Sequence, residues 1–436
     1  MNKLKLAQWV KDYALKHGAT QVEVNIYNKR SISVTYRDKN IEKLKESTEN
    51  QLSLYIYVDN RYSGNSTNNL NKSELERFIK EAIASTRYLT PDKFRALPNP
   101  KFYPQNTDLN LGLVDSNFDN LTTEKRIEIA KKMAISAKEQ SDKIISATGS
   151  FSDSYYELVK VLSNGFVGEK SGTNYSVSSS VTVKDGDARP SGWDYATNHF
   201  FDKLPSFNNI GIQASKRALR KIGQKKIDSG NYDMLVENRS VGRLLWMLLG
   251  PMNARAIQQK KSFLEGQIGK KIASDKLTII DDPLIKNGMG SRLFDGDGLE
   301  SKRRVMVKKG VLKQIYVDNY YGSKLGIDPT ASGSSNIVLD YGENSLEKMI
   351  KSIDKGILVT SFNGGNSNTT TGDFSLGIGG IIIEKGILTI PVFEMNISGN
   401  AKEFWDKLAE VGNDINFNSS WRLASLLFKD IHFSGK

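Results

Sequence analysis

The segment SVGRLLWMLLGPM, residues 240–252, predicts a short apolar helix around which the other elements are arranged. Its uncharged apolar run, Leu244–Met252, is far shorter than the roughly 20 residues of a membrane-spanning helix. From Val241 to Met252 it contains no His, Cys, Asp or Glu, the residue types that a metal or acid–base motif would require. A linker rich in Lys and Gln and two acidic clusters follow it, up to Gly298.

The composition is typical of a soluble protein with two or three domains. The 436 residues are 38% hydrophobic, and single domains span roughly 100–200 residues. The absence of Cys excludes disulfide bonds and a Cys-ligated metal. The N-terminal helix carries charges throughout and lacks the apolar core of a secretion signal, so we expect a cytoplasmic location.

The net charge of +12 raises nucleic acid or an acidic polypeptide as a partner. The basic residues are scattered, however, and the short clusters at residues 225–226, 260–261 and 302–304 are not interleaved with aromatic side chains. A surface on which bases stack would need such aromatic residues. The pattern therefore favours solvated faces over a nucleic-acid groove.

The first half of the chain alternates amphipathic helices with strands. Apolar residues at helical spacing predict a first helix that ends at Lys16 and helices over Lys72–Thr86, Thr123–Glu139 and Asn208–Ile222, with alternating strand patterns between them. Asn71 and Glu74 have the spacing of a capping pair before the second helix. A helix–strands–helix unit thus occurs twice before residue 224, which indicates a possible duplication.

The second half is rich in strands, and the fold class is predicted to be α+β. Two hairpins with Gly at the turn are predicted over residues 307–312 and 383–388, and a late helix over Ala401–Val411. Long strand runs with few helices indicate a curved sheet or a barrel-like domain. We divide the chain into an N-terminal α+β domain (1–110), a middle α+β segment (111–224) and a β-rich domain (225–436).

Few residues carry an obvious catalytic pattern. The three His residues, His17, His199 and His432, lie in separate regions, and none has the spacing of a helical zinc motif. No Gly-x-Ser-x-Gly elbow is present. The acidic clusters around residues 281–282 and 295–300 lack the spacing of a calcium loop, so we interpret them as turns and caps.

Two glycine-rich stretches are the best candidates for binding. Neither contains a Walker Lys or follows a strand in the way a dinucleotide-binding loop does, so phosphate binding is not expected. Glycine allows another backbone to approach closely, as when an extended peptide adds to the edge of a sheet. Turns without any binding role are the alternative. The candidate peptide-binding residues are Gly364, Gly365, Asn366, Thr371, Gly372 and Asp373.

Four motifs of the second half resemble those of the TldD/PmbA family, which was named for modulation of DNA gyrase. They are Ser262-Phe263-Leu264-x-Gly266, Leu277-Thr-Ile-Ile-Asp281-Asp282-Pro283, Ser291-x-x-Phe294-Asp295 and Thr371-Gly372-Asp373-Phe374. Further matches near Arg37-Asp38 and over Lys429–Gly435 extend the resemblance over nearly the whole chain.

The resemblance implies one half of a heterodimeric metalloprotease. The TldD-type subunit carries His-Glu-x-x-x-His on a helix and a Cys ligand nearer its C-terminus. Those positions fall near Leu244–Leu249 and Asn416–Ser420 here, and neither segment contains His, Glu or Cys. The chain therefore resembles the PmbA, or TldE, subunit, which lacks the metal site. No catalytic residue, metal ligand or cofactor is assigned to it, and zinc is expected in the partner.

The resemblance further implies a non-catalytic subunit that helps to enclose an unfolded peptide, in a family associated with maturation of peptide antibiotics and degradation of an antitoxin. In the partner's absence the chain could self-associate. Leu244, Leu245, Leu248 and Leu249 would then pack against a core or a partner. One alternative is a free-standing binding protein for nucleic acid or an acidic polypeptide. Another is an independent hydrolase that uses Ser or carboxylate side chains.

Overall fold

The first half of the protein folds into two consecutive units with the same order of elements. The computed structural model describes residues 2–105 and 109–436. The first unit contains α1 (Lys3–Lys16), β1 (Gln21–Arg37), β2 (Asn40–Val58), β3 (Arg61–Thr67) and α2 (Lys72–Thr86). The second contains α3 (Thr123–Lys138), β4 (Ile144–Leu162), β5 (Val167–Val183), β6 (Ser191–Asn198) and α4 (Phe207–Leu219). The repeated helix–strands–helix order agrees with the predicted duplication.

The six strands of the two units form one antiparallel sheet in the order β3-β2-β1-β4-β5-β6. Its centre is the long β1–β4 pairing, in which Glu23 lies opposite Leu162 and Arg37 opposite Thr148. The helices cover one face, where alternate residues such as Val34 and Phe151 are buried. The residues between them, including Ser31 and Ser152, line the other face. The sheet joins strands from both sides of residue 110, and the proposed domain boundaries stay predictions.

Three sequence-based expectations for secondary structure were wrong in detail. The strands predicted over residues 21–27 and 31–36 are one strand, because β1 pairs continuously with β4 and, up to a register shift after Thr35, with β2. The side chain of Asn71 makes no capping hydrogen bond at α2. The late helix ends at Asp406, and the residues after it form a strand that pairs with the last strand of the chain.

The second half contains two further sheets and five short helices among its described residues. In chain order the elements are β7 (Gly230–Val236), α5 (Val241–Leu249), α6 (Ala254–Gln258), β8 (Ile279–Asp281), β9 (Arg304–Lys308), β10 (Val311–Leu312), α7 (Asn319–Leu325), β11 (Ile337–Leu339), α8 (Leu346–Lys351), β12 (Lys355–Ser367), β13 (Asp373–Glu384), β14 (Ile387–Asn400), α9 (Ala401–Asp406), β15 (Leu408–Val411), β16 (Trp421–Arg422) and β17 (Leu426–Phe433).

These strands form two open sheets, in the orders β10-β9-β8-β11-β16 and β14-β13-β12-β7-β17-β15. The α+β class is confirmed, and neither sheet closes into a barrel within the described residues. Both predicted hairpins are present. Their turns place Lys309-Gly310 and Lys385-Gly386 at positive φ, as two-residue hairpin turns require.

One hydrophobic core joins the two sheets of the second half, and α5 contributes to its centre. Leu244, Leu245 and Leu248 are fully buried in the same cluster as Val236 of β7 and Val359 of β12. The predicted packing role of these leucines is confirmed. None of the helices in the described part of the chain is long and apolar enough to cross a membrane.

Candidate functional site

Helix α5 is anchored at its N-terminus to the middle of β12. The hydroxyl of Ser240 donates to the carbonyl oxygen of Thr360 at 2.9 Å instead of capping the helix. Val241 and Leu249, at the two ends of the helix, are both buried. A helix buried along one side in this way is held rigidly, so its exposed side chains have fixed positions.

The other side of α5 carries Arg243 and Trp246. Nη2 of Arg243 donates to the carbonyl oxygen of Gly365 at 3.0 Å, across to β12. Trp246 is 52% exposed and stacks on Trp421 of β16, with 5.9 Å between ring centroids. Trp side chains are enriched at interfaces, so Trp246 is a candidate contact residue.

Among the described residues, no strand pairs with β12 beyond residue 359 on the side of β7. The parallel pairing with β7 covers only Gly356–Val359, whereas β13 follows the other side of β12 out to Ser367. Thr360 and Gly365 bond to α5 through their carbonyl groups. Within the described residues, the segment 361–364 between them is therefore an open strand edge. We call it, with Arg243 and Trp246, the α5–β12 corner.

Gly364 and Gly365 form a bulge at the end of this edge. The register with β13 moves from Asn363–Gly377 to Asn366–Ser375. Both glycines have positive φ, 70° and 88°. A Cβ on Gly365 would overlap the carbonyl oxygen of Ser375, whereas a Cβ on Gly364 would meet no atom within 4 Å. Only Gly365 is thus required for close backbone approach.

Thr371, Gly372 and Asp373 lie at the tip of the β12–β13 hairpin, and their polar groups bond within the hairpin and to Asn400. Thr371 donates to the Asp373 carboxylate at 2.6 Å, and the Asn400 amide donates to the same carboxylate at 3.0 Å. These two bonds, the one from Thr371 first, lower the pKa of Asp373. The backbone N–H of Ala401 donates to the Gly372 carbonyl. This end of the hairpin is fastened to the N-terminus of α9.

The structure therefore places all six predicted residues on one hairpin, but in two different settings. Gly364, Gly365 and Asn366 are exposed beside the open edge. The three residues 371–373 fasten the hairpin tip. Asn366 and Asp373 meet in a shallow concavity of about 540 Å³. A peptide-binding role for the six residues stays a prediction.

Sequence reasoning missed the aromatic residues of this region. Phe417 is 60% exposed beside the guanidinium of Arg422, 5.6 Å from its carbon to the ring centroid. Trp193 of β6 is 58% exposed and lies next to Arg239, which precedes α5. The exposure of Trp246 could have been predicted from the sequence. At 100° per residue along a helix, its side chain points away from the four leucines of α5.

The titratable side chains singled out in the sequence have structural roles. His199 is buried with Nδ1 2.6 Å from the Thr173 carbonyl oxygen, whereas His17 and His432 contact Tyr13 and Asn231. Asp295 accepts backbone N–H bonds from Asp297 and Leu299. Asp297 accepts one from Asn319, but its burial raises its pKa to about 6, helped by the negative charge of Asp295. The predicted turn and cap roles are present.

The residues of α5 do not fit a metal. Positions 244–249 present Leu, Trp and Met side chains, none of which is a usual zinc ligand. In residues 2–105 and 109–436, no three His, Cys, Asp or Glu side chains are grouped so that they could hold a metal ion. No chemical step can therefore be derived through a metal held by α5.

Comparison with family models matches three successive parts of the chain. Residues 22–86 match the model described as PmbA/TldA metallopeptidase domain 1, and residues 116–222 match the central domain. Residues 229–435 match the PmbA/TldA metallopeptidase C-terminal domain, which includes the α5–β12 corner.

Individual proteins agree with these models. A crystal structure from Bacteroides thetaiotaomicron, named for modulation of DNA gyrase, is 44% identical, with a TM-score of 0.97 over 99% of this chain and 98% of that one. Metalloprotease PmbA of Escherichia coli O157:H7 is 28% identical over 95% of this chain and 92% of its own. TldE of Thermococcus kodakarensis is 19% identical and shares the fold, with a TM-score of 0.86 over 99% of this chain and all of that one.

Proposed function

The chain belongs to the PmbA/TldD metallopeptidase family, and we propose that it is the non-catalytic, peptide-cradling subunit of a two-subunit metalloprotease. The observation that carries the proposal is the α5–β12 corner, where buried leucines replace metal donors beside an open strand edge. Zinc, and with it the hydrolytic step, would belong to a TldD-like partner. This chain would bind and position the peptide.

The open edge supports recognition of peptide backbone. An extended peptide placed beside residues 361–364 would satisfy main-chain groups that have no strand partner among the described residues. Trp246 supplies an adjacent apolar surface, and Arg243 is fixed by its bond to Gly365. Main-chain recognition tolerates many side chains, which suits unfolded peptides of varied sequence.

The charge distribution favours this proposal over nucleic-acid binding. Members of the basic clusters are paired with acids: Lys260 with Glu265 at 3.2 Å, Lys302 with Glu300 at 2.6 Å and Arg303 with Asp282 at 3.6 Å. Pairs of this kind neutralise the local positive field that a phosphate backbone would need. The proposal includes a cytoplasmic location, since a chain without Cys suits a reducing compartment.

The test of the subunit assignment is reconstitution. Three preparations are compared. They are this chain alone, this chain co-expressed with a His-Glu-x-x-x-His homologue from the same cell, and, as the control, the homologue alone. We expect the two to co-purify, with zinc and peptidase activity in the complex and neither in this chain alone. Stoichiometric zinc together with peptidase activity in the isolated chain would refute the proposal.

Backbone recognition has its own test. A fluorescent unfolded peptide is compared with its side-chain variants and with a version whose alternate backbone nitrogens are methylated. We expect methylation to abolish binding to the complex, measured by anisotropy, and side-chain changes to alter it only a few-fold. Equal binding of the methylated peptide would contradict edge pairing. DNA that competes for the site at physiological salt would favour the nucleic-acid alternative.

A further inference from the structure

A second cavity, of about 810 Å³, lies between the six-stranded sheet and residues 291–294, which separate the two acidic clusters. None of its lining residues belongs to the α5–β12 corner. The motif Ser291-x-x-Phe294 forms one wall of the cavity. The proposed function gives this motif no role. Its apolar lining consists mainly of Leu109, Leu111, Leu113, Leu158, Leu293 and Phe294.

Three cationic side chains line the cavity together with these apolar residues: Lys3, Lys170 and Arg292. Lys170 of β5 is opposite Leu158 of β4, and its Nζ is 5.8 Å from the centroid of the Phe294 ring. Among the described residues, no carboxylate lies within 4 Å of that nitrogen. Arg292 uses both Nη atoms on the carbonyls of Ser334 and Gly333. Its buried Nε has no hydrogen-bond partner in the described part of the chain.

Three acidic side chains lie near these cations. Glu157 is paired with Lys3 and accepts the hydroxyl of Tyr155. Asp295 accepts three backbone N–H bonds, the third from Ser332. Glu169 also lines the cavity, where its side chain is exposed. The described lining therefore keeps a net charge of +1, from Lys3, Lys170 and Arg292 against Glu157 and Glu169.

The electrostatic state of Lys170 agrees with this arrangement. Burial lowers the pKa of the Lys170 ammonium, and the nearby charges of Arg292 and Lys160 lower it further. A bound anion would offset this lowering of the pKa, because it would supply an opposite charge and hydrogen-bond acceptors to the ammonium. A neutral occupant would supply no such charge.

We propose that this cavity binds a small carboxylate with an apolar body, the carboxylate at Lys170 and Arg292 and the body against the leucines and Phe294. The volume is in the range of roughly 300–1,000 Å³ that is common for small-molecule sites. Two sources share this chemistry: a medium-chain fatty acid, and the free C-terminus of a short peptide with apolar last residues. The proposal does not depend on the protease assignment.

The experiment titrates the full chain by calorimetry with decanoate and with N-acetyl-Leu-Leu. Decanol and the C-terminal amide of the dipeptide are the neutral controls. We expect saturable binding of at least one acid, and binding of its neutral control at least tenfold weaker. The acid that binds more tightly identifies the source. If neither acid binds up to about 1 mM, a weak-ligand limit, the proposal is wrong.

Variants assign the binding to the cavity. Lys170→Met keeps the apolar stem and removes the charge. Loss of a charged hydrogen bond should lower the affinity for the acid roughly 10- to 100-fold. Lys170→Arg should restore most of the affinity. Lys184→Met, at an exposed site just after β5, is the matched control and should bind as the unchanged protein does. If Lys170→Met fails to fold, Lys170→Gln replaces it. Undiminished binding by a folded Lys170 variant would overturn the proposal.

Discussion

The two sides of the α5–β12 corner differ in how far the rest of the molecule constrains them. On the covered side, Leu248 is fully buried. Gly365 is exposed, but a Cβ added to it would overlap the Ser375 carbonyl oxygen. On the open side, Trp246 is half exposed and Gly364 has free space around it. Residues that are close together in the sequence thus differ sharply in their contributions to stability and to contact with other molecules. The covered residues hold the corner in place, and the open residues are available for contact with another chain.

The largest loss of stability is expected when a buried side chain of α5 is shortened. Leu248→Ala should lower the free energy of unfolding by about 2–5 kcal/mol, because it leaves a cavity in the core shared by both sheets. Trp246→Ala, two residues earlier on the exposed side, is the control and should cost no more than about 1 kcal/mol. Urea unfolding measures both. Equal losses for the two variants would remove the distinction between the two sides.

The glycine pair provides a second comparison. Gly365→Ala should cost roughly 2–4 kcal/mol, since the new methyl group overlaps the Ser375 carbonyl in addition to the strain of a positive φ. Gly364→Ala carries only the strain of positive φ, about 1–2 kcal/mol. Thermal or urea unfolding of the two variants side by side tests this. A larger loss for Gly364→Ala would show that the bulge is arranged differently.

Asp297 extends the comparison to a covered polar group. Its pKa in the folded protein is about 6, against an ordinary value of 3.8, so the folded state binds the proton more tightly. Its contribution to stability is therefore favourable near pH 4 and is lost as the pH rises to about 6, a change of at most about 2–3 kcal/mol. Asp297→Asn keeps an acceptor for the Asn319 N–H and cannot ionise.

We expect Asp297→Asn to be more stable than the unchanged protein at pH 7.5 and to lose that advantage near pH 4. Urea unfolding at several pH values between these limits gives the dependence. Asp373→Asn is a useful control, because that carboxylate is exposed and its pKa is lowered by its hydrogen bonds. A pH profile unchanged by Asp297→Asn would show that the carboxyl is not desolvated as the structure indicates.

The smallest effect on stability is expected at Arg243. Its side chain links α5 to Gly365 from an exposed position, so Arg243→Gln should change the free energy of unfolding by no more than about 0.5 kcal/mol. Amide hydrogen exchange in residues 361–367 should nevertheless become faster, because the strand end loses its tie to the helix. Arg255→Gln, at an exposed site on α6, should leave that exchange unchanged.

Much of the fold was predictable because local patterns are strong. The bounds of α2 match the prediction to the residue, and both glycine hairpins form where the sequence places them. The family resemblance, built on short motifs, is confirmed over most of the chain by the matched models. The errors in the bounds of helices and strands occur where pairing with a distant strand determines the local structure. Examples are β1, which pairs continuously with β4, and β15, which replaces the end of the predicted late helix.

The candidate site was predictable only in part. The sequence places Gly364 and Gly365 next to each other and gives both the same freedom of φ. It does not show that only Gly365 lies against Ser375, or that Asp373 is bonded to Asn400. Those contacts depend on the pairing of β12 with β13 and on the position of α9.

The sequence by itself determined the apolar character of α5, the lack of metal donors on it and the membership of a family. These properties follow from side-chain chemistry and from spacing within a few residues. The tertiary structure alone decided that β7 stops beside Val359 and leaves the next residues of β12 as an open edge. It also brought Trp421 against Trp246 and Arg292 into the same cavity as Lys170. Such pairings join residues far apart in the chain, and their energies arise only when the sheets and the core assemble.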